Sequence, residues 1–215
     1  MYNTVIFDFD YTLGDTTRGI IECANFAFSQ MGYDKQSDQS IINTIGLTLK
    51  NTFKVITKED NDEKSTQFAK LFIEKADEVM VHSATLYDSA VRLLNLLKQK
   101  NVKTAIVTTK FRRRIVAIFE KFSLTEAIDV VVGSDDVKES KPSPEGLLLA
   151  IDKLNTERHK VLYIGDNVVD SLAAQKAGVD FVGVLTGTTT SEEFNKLPNI
   201  RIVNSLDEVG DLIFK

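Results

Sequence analysis

The 215-residue chain has a single cysteine, Cys23. That excludes an intramolecular disulfide framework and fits a reducing compartment. No long basic run occurs and the net charge is −5, so a nucleic-acid backbone is a poor partner. No stretch is long and apolar enough to span a bilayer. The opening residues MYNTVIF lack the charged region, apolar stretch and cleavage site of a secretory signal. Internal repeats and low-complexity segments are missing as well. With 43% hydrophobic and 27% charged residues, the composition is that of a folded chain with a sizeable core. These features predict a cytoplasmic protein without membrane or nucleic-acid partners, a monomer or weak homodimer. Its length suits one large domain or one domain carrying a smaller insertion.

What the chain does have is concentrated first in Thr4–Asp15, TVIFDFDYTLGD. Val5, Ile6 and Phe7 read as a buried strand that ends in Asp8, Asp10 and Thr12. Asp8 and Asp10 are two apart, so Phe9 between them can face the other way. The motif admits two readings: a polar strand end entering a turn, or a pair of acids raised to the ligand edge of an α/β sheet. Asp15 is a candidate N-cap for the helix that follows. Ile20, Ala24, Ala27, Phe28 and Met31 recur at helical spacing, and Gly32 stops the run. Cys23, on this helix, reads as a small core hydrophobe. Further helical pieces are predicted at about 38–44, 48–56 and 60–81, with no convincing strand between Thr16 and Ser83.

From Leu86 the rhythm changes to alternating helices and strands. Strands are predicted at 103–107, 129–132, 161–164 and 181–184, with a short one near 201–203. Helices are predicted between them, and a final helix carries Leu206, Val209 and Leu212. Strands alternating with helices predict a doubly wound parallel sheet covered on both faces. The first strand joins this sheet, so the expected core comprises residues 1–15 and 84–215. An all-helical insertion, residues 16–83, lies between the two parts.

Four strand ends carry polar groups: Asp8, Asp10 and Thr12; Thr108 and Thr109; Lys141 in ESKPSPEG; and Gly165-Asp166 followed by Asp170. In a parallel sheet these ends converge. Each residue also has a plainer reading: a turn threonine, a surface lysine before Pro142, a helix N-cap or a first-turn acid. The basic cluster Lys110–Arg114 reads either as a solvated helix start or as a group that steers substrate or phosphate. His82 and His159 have no partner pattern and read as surface residues. Four aspartates against Lys141 make a strongly negative pocket. Two like charges ~4 Å apart repel by ~4 kcal/mol at an effective dielectric near 20. All-oxygen donors of this kind call for a hard cation such as Mg²⁺.

DFDYT, IVTTK, SKPSPE and YIGDNVVD, in that order, resemble the four motifs of the haloacid dehalogenase superfamily. The helical insertion resembles the cap of its phosphoglycolate phosphatase and β-phosphoglucomutase-like branch. The resemblance covers essentially the whole chain. It implies a Rossmann-like core and a Mg²⁺-dependent phosphatase acting on a small phosphorylated metabolite. Asp8 would be the nucleophile that forms an aspartyl-phosphate, and Asp10 the general acid and then base. Asp8 and Asp166 would ligate the metal by side chain and Asp10 by its backbone carbonyl. Asp170 would complete the metal site, holding Lys141 or a metal-bound water. Thr108 and backbone N–H groups near Thr109 would hold the phosphoryl oxygens, and Lys141 would neutralise charge. Substrate choice would lie in the cap, where Arg18 and Lys50 are the charged candidates for binding a leaving group; each reads equally well as a solvated side chain. Tyr11 stands where relatives mostly carry glycine, and LYDSA lacks their proline-glycine.

Three other functions compete. A phosphomutase would pass the phosphoryl group to a second sugar hydroxyl. A dehalogenase would have no need of Asp10. A receiver-type signalling domain also groups aspartates, a threonine and a lysine around Mg²⁺, but in a different motif order and without a helical insertion.

Overall fold

The computed structural model describes residues 1–214. The chain divides into two compact units, one formed by Met1–Asp15 together with the chain from Leu86 onward, the other by Thr16–Thr85. Two-residue strands, β2 (Gly14–Asp15) and β3 (Thr85–Leu86), flank the helical segment in sequence.

The first unit is built on a six-stranded sheet. Its strands are β1 (Thr4–Phe7), β4 (Lys103–Val107), β5 (Val130–Val132), β6 (Val161–Gly165), β7 (Asp180–Val184) and β8 (Arg201–Val203). Their spatial order is β5-β4-β1-β6-β7-β8, and every pairing is parallel. All four residues of β1 are buried, as befits a central strand with aliphatic and aromatic side chains on both faces. The chain builds outward from β1 through β4 and β5, then returns to build β6, β7 and β8 on the other side. That reversal places a topological switch point at the end of β1, where open α/β sheets bind ligands.

Helices α5 (Asp88–Gln99), α6 (Arg112–Lys121), α7 (Glu145–Lys153) and α8 (Val168–Ala177) follow the strands. One packed core joins Ile6, Val107, Leu147, Ile151, Tyr163, Ala174 and Phe181 from strands and helices. A short helix not among those predicted, α9 (Ser191–Phe194), is set by a capping box between Thr190 and Glu193, a signal that the T-S-E-E order carries. The predicted final helix is divided into a 3-10 turn (Leu206–Glu208) and α10 (Gly210–Phe214). Gly210 at the junction is a weak helix former.

The second unit contains α1 (Thr17–Gln30), α2 (Asp38–Ile42), α3 (Leu49–Thr57) and α4 (Asp62–Ser83). Its N-caps include Ser37, Thr48 and Asn61, each accepting a backbone N–H of the first turn. The N-cap of α1 is Thr16, one residue later than the Asp15 expected, because Asp15 is still extended as part of β2. Cys23, Ala27, Phe28, Phe53, Phe68, Phe72 and Met80 form the core of this unit.

Candidate active site

The register of the sheet brings the polar strand ends together. Phe7 lies between Ile106 of β4 and Ile164 of β6. The next residue, Asp8, donates its N–H to the Ile164 carbonyl at 2.9 Å, so its side chain leaves the sheet beside the end of β6. The chain then turns tightly. The N–H groups of Thr12, Leu13 and Gly14 all point to the Phe9 carbonyl, and Tyr11 N–H donates to the Gly14 carbonyl. Tyr11 has φ +56°, a left-handed conformation that costs an L-residue about 1–2 kcal/mol and explains why glycine suits the position. Here the turn is fastened from outside: Thr186 donates its hydroxyl to the Tyr11 carbonyl.

Asp8, Asp10, Asp166 and Asp170 are all buried. The Lys141 ammonium sits 2.7 Å from Asp8 Oδ1 and 2.7 Å from Asp170 Oδ1. The Tyr163 hydroxyl donates to the same Asp170 oxygen at 2.7 Å, and Lys141 Nζ lies 3.3 Å from that hydroxyl. The other Asp170 oxygen accepts the Asn167 N–H at 3.0 Å, completing a capping box at the start of α8. Asp170 thus has its plainer helix-start role and a place in the cluster at once. Asp166 accepts the Thr12 hydroxyl at 3.3 Å. Thr108, also buried, lies at the end of β4, and its oxygen accepts the Lys110 N–H at 3.2 Å.

Burial pushes the Asp8 carboxyl up to about 7; the Lys141 ammonium pulls it down, and the charges of Asp170 and Asp10 raise it again. Burial, then the charges of Asp170 and Asp8, hold Asp166 well above the carboxylate range. Burial disfavours the Lys141 charge, but the carboxylates of Asp170 and Asp8 outweigh it and raise that ammonium above the usual range. Asp8 and Asp166 therefore resist losing their protons together unless positive charge is supplied.

Several contributors were not visible from the sequence. The basic cluster separates: Arg112 and Arg113 are exposed at the start of α6, while Lys110 and Arg114 are buried. Lys110 Nζ lies 2.8 Å from Asp10 Oδ2. Tyr163 was hidden inside an aliphatic strand. Gly187 abuts Asp166 so closely that a Cβ there would run into the carboxylate. Only glycine lets the loop after β7 pass beside that acid.

The haloacid dehalogenase-like hydrolase family model matches residues 5–184. The chain belongs to that family. It is 32% identical over 214 residues to the pyrophosphatase PpaX of Bacillus cereus, covering 98% of this chain and 94% of the relative. Among solved structures, a haloacid dehalogenase-like hydrolase from Bacteroides fragilis matches with a TM-score of 0.94 and 37% identity, over 97% of this chain and all of its own. A predicted phosphoglycolate phosphatase from Haemophilus somnus matches with a TM-score of 0.86 over 98% of this chain and 97% of its own. At 20% identity that likeness is one of fold alone. This haloacid dehalogenase-like hydrolase is an enzyme of the family's phosphatase branch.

The family works with a divalent metal, and the residues present fit one. Carboxylate oxygens of Asp8, Asp166 and Asp170 lie within 4.8 Å of one another, all three buried. Hard oxygen donors in that arrangement suit Mg²⁺. Four buried carboxylates against the ammonium groups of Lys141 and Lys110 leave two formal negative charges, which a divalent ion balances. Thr109 is half-buried beside Thr108. Arg18 and Lys50 stand exposed on α1 and α3 of the helical unit, and His82 and His159 are exposed as well.

Proposed function

We propose that the protein is a Mg²⁺-dependent phosphatase that hydrolyses a small phosphorylated metabolite through an aspartyl-phosphate. The observation that carries this reading is the buried grouping of Asp8 with Lys141, Asp166 and Asp170 at the switch point, with Asp10 on the same turn. Asp8 and Asp166 would hold the metal by side chain and Asp10 by its backbone carbonyl. Asp170, whose oxygens already serve Lys141, Tyr163 and the Asn167 N–H, would fix Lys141 and the edge of the metal site. When bound, the ion supplies the positive charge that lets a phosphate dianion approach these acids.

An Asp8 carboxylate oxygen attacks phosphorus in line, and the bond from phosphorus to the leaving oxygen breaks. Asp10 gives its proton to that oxygen. Water then attacks the phosphorus, loses a proton to Asp10, and the bond to Asp8 breaks to restore the carboxylate. Thr108 and the N–H groups around Thr109 hold the equatorial oxygens, and Lys141 balances the charge that gathers on them. Arg18 and Lys50 are the helical unit's candidates for contacting the leaving group. Hydrolysis is favoured over transfer to a second sugar hydroxyl because a relative matched over nearly its full length is named a pyrophosphatase.

The test is phosphate release from an aryl phosphate and a panel of small phosphorylated metabolites, in Mg²⁺ and in EDTA. Asp8→Asn should lose at least about a thousandfold in kcat with its melting temperature kept or raised. Turnover that survives in Asp8→Asn, or in EDTA, sinks the mechanism. Isomerisation of a sugar phosphate without phosphate release would replace it with the mutase.

A further inference from the structure

Lys110 is a buried cation with no part in the chemistry above. Its backbone is pinned on both sides: its N–H donates to the Thr108 hydroxyl at 3.2 Å and its carbonyl accepts the Ser134 N–H at 2.9 Å. From that fixed root the side chain reaches Asp10, 2.8 Å from Nζ to Oδ2, with both side chains 9% exposed. Lys141 is committed elsewhere, to Asp8 and Asp170. The two buried lysines therefore serve different carboxylates: one the acid that attacks, the other the acid that protonates what departs.

In-line attack puts the leaving group on the far side of phosphorus from Asp8. Asp10 must border that leaving group, and the Lys110 ammonium is one hydrogen bond beyond it. A substrate that engages Asp10 disturbs the Lys110–Asp10 pair. Disturbing a buried pair without a substitute strands a charge. A neutral leaving group offers no substitute, whereas an anionic one offers a new partner at the same place. We propose that Lys110 selects substrates by charge, taking a negative group on the leaving side. The preferred substrates are then phosphate esters or anhydrides whose leaving group is anionic within a few bonds of the breaking P–O bond. This rests on the phosphatase reading and sharpens it: pyrophosphate and phosphoglycolate have such leaving groups, while a simple sugar or alkyl phosphate does not.

The experiment compares kcat/KM for inorganic pyrophosphate, phosphoglycolate and ethyl phosphate, in Mg²⁺, for the wild type, Lys110→Met and Lys110→Arg. Melting curves verify folding, and Lys110→Gln replaces Lys110→Met if the latter unfolds. The wild type should prefer at least one of the charged pair over ethyl phosphate. The neutral variant should shrink that preference by about tenfold or more, and Lys110→Arg should restore most of it. Equal losses on all three substrates would mean that Lys110 only holds Asp10, and would overturn the inference alone. An unchanged preference would do the same. A wild type inactive on every phosphate compound would overturn the phosphatase reading and this inference with it.

Discussion

The two units stabilise themselves in opposite ways. Among the described residues, every buried charged side chain belongs to the sheet-bearing unit: Asp8, Asp10, Lys110, Arg114, Lys141, Asp166 and Asp170. The helical unit buries rings instead. Phe28 lies 4.7 Å from Phe68 and 6.2 Å from Phe53 between ring centroids, and Phe68 lies 6.1 Å from Phe72. Its ion pairs are on the outside: Lys54 with Asp60 and Asp62, Lys64 with Glu59, Lys75 with Glu22 and Glu78. Removing charge from water is costly and is repaid only where partners are well placed. The sheet-bearing unit concentrates that expense at one strand edge. Packed rings have no such requirement and contribute through area and contact alone. The difference marks which unit has been shaped by chemistry.

Two substitutions of comparable size should separate the two kinds of stability. Lys141→Met strands Asp8 and Asp170 in a buried site and should cost about 3–5 kcal/mol at pH 8. At pH 5, where burial keeps the Asp8 carboxyl protonated, the loss should shrink markedly. Phe68→Ala empties the ring cluster and should cost about 3–5 kcal/mol through lost contact and cavity, equally at both pH values. Urea denaturation at pH 5 and pH 8 reads both. A pH-independent loss for Lys141→Met would show that its partners are not the acids named here.

The wild type should show the same contrast more weakly. The folded value of Asp8, about 7, lies above its ordinary value of 3.8, so the folded state holds that proton more tightly than the unfolded chain. Stability from this group is complete below about pH 4 and is lost as pH rises through 7. The loss is at most about 4 kcal/mol by the linkage constant. Lys141 is also raised, but what it contributes is lost only far above that window. In EDTA the protein should therefore melt lower at pH 8 than at pH 5. Held as proposed, Mg²⁺ would compete with the protons of Asp8 and Asp166, so the rise in melting temperature it produces should be larger at pH 8. A Mg²⁺ effect independent of pH would place the metal away from Asp8 and Asp166.

Most of the fold was legible because short apolar runs ended in acids or hydroxyls and alternated with helical stripes. Val5–Phe7, the run ending at Val107 and the run ending at Ile164 declared themselves as parallel strands, and parallel pairing fixes which ends meet. What stayed hidden depends on contacts across the sheet. Lys110 sits in a run of basic residues whose local pattern says solvent, and only the return of β4 beside β1 brings it to Asp10. Tyr163 is one more large side chain on a buried strand; its hydroxyl matters because α8 carries Asp170 back over it. Gly187 comes well after the last motif, and nothing local says that its missing side chain makes room for Asp166. A capping box at Thr190–Glu193, by contrast, was readable.

The smallest effect sharpens the comparison from the other side. Lys54 pairs with Asp60 at 2.7 Å and Asp62 at 2.9 Å, distances like those at Lys141. Both hydrogen bonds raise the lysine above its ordinary value, and Asp62 is lowered by the same partner. Yet the two acids are 90% and 81% exposed. Water already solvates these charges in the unfolded chain, salt screens them, and two flexible side chains lose freedom to meet. Lys54→Met should leave the urea midpoint unchanged within error, at low salt and at high. Distance alone would rank this pair with Lys141. If its removal proved as damaging as Lys141→Met, burial would not be what separates the two units, and the contrast between them would have to be sought in packing.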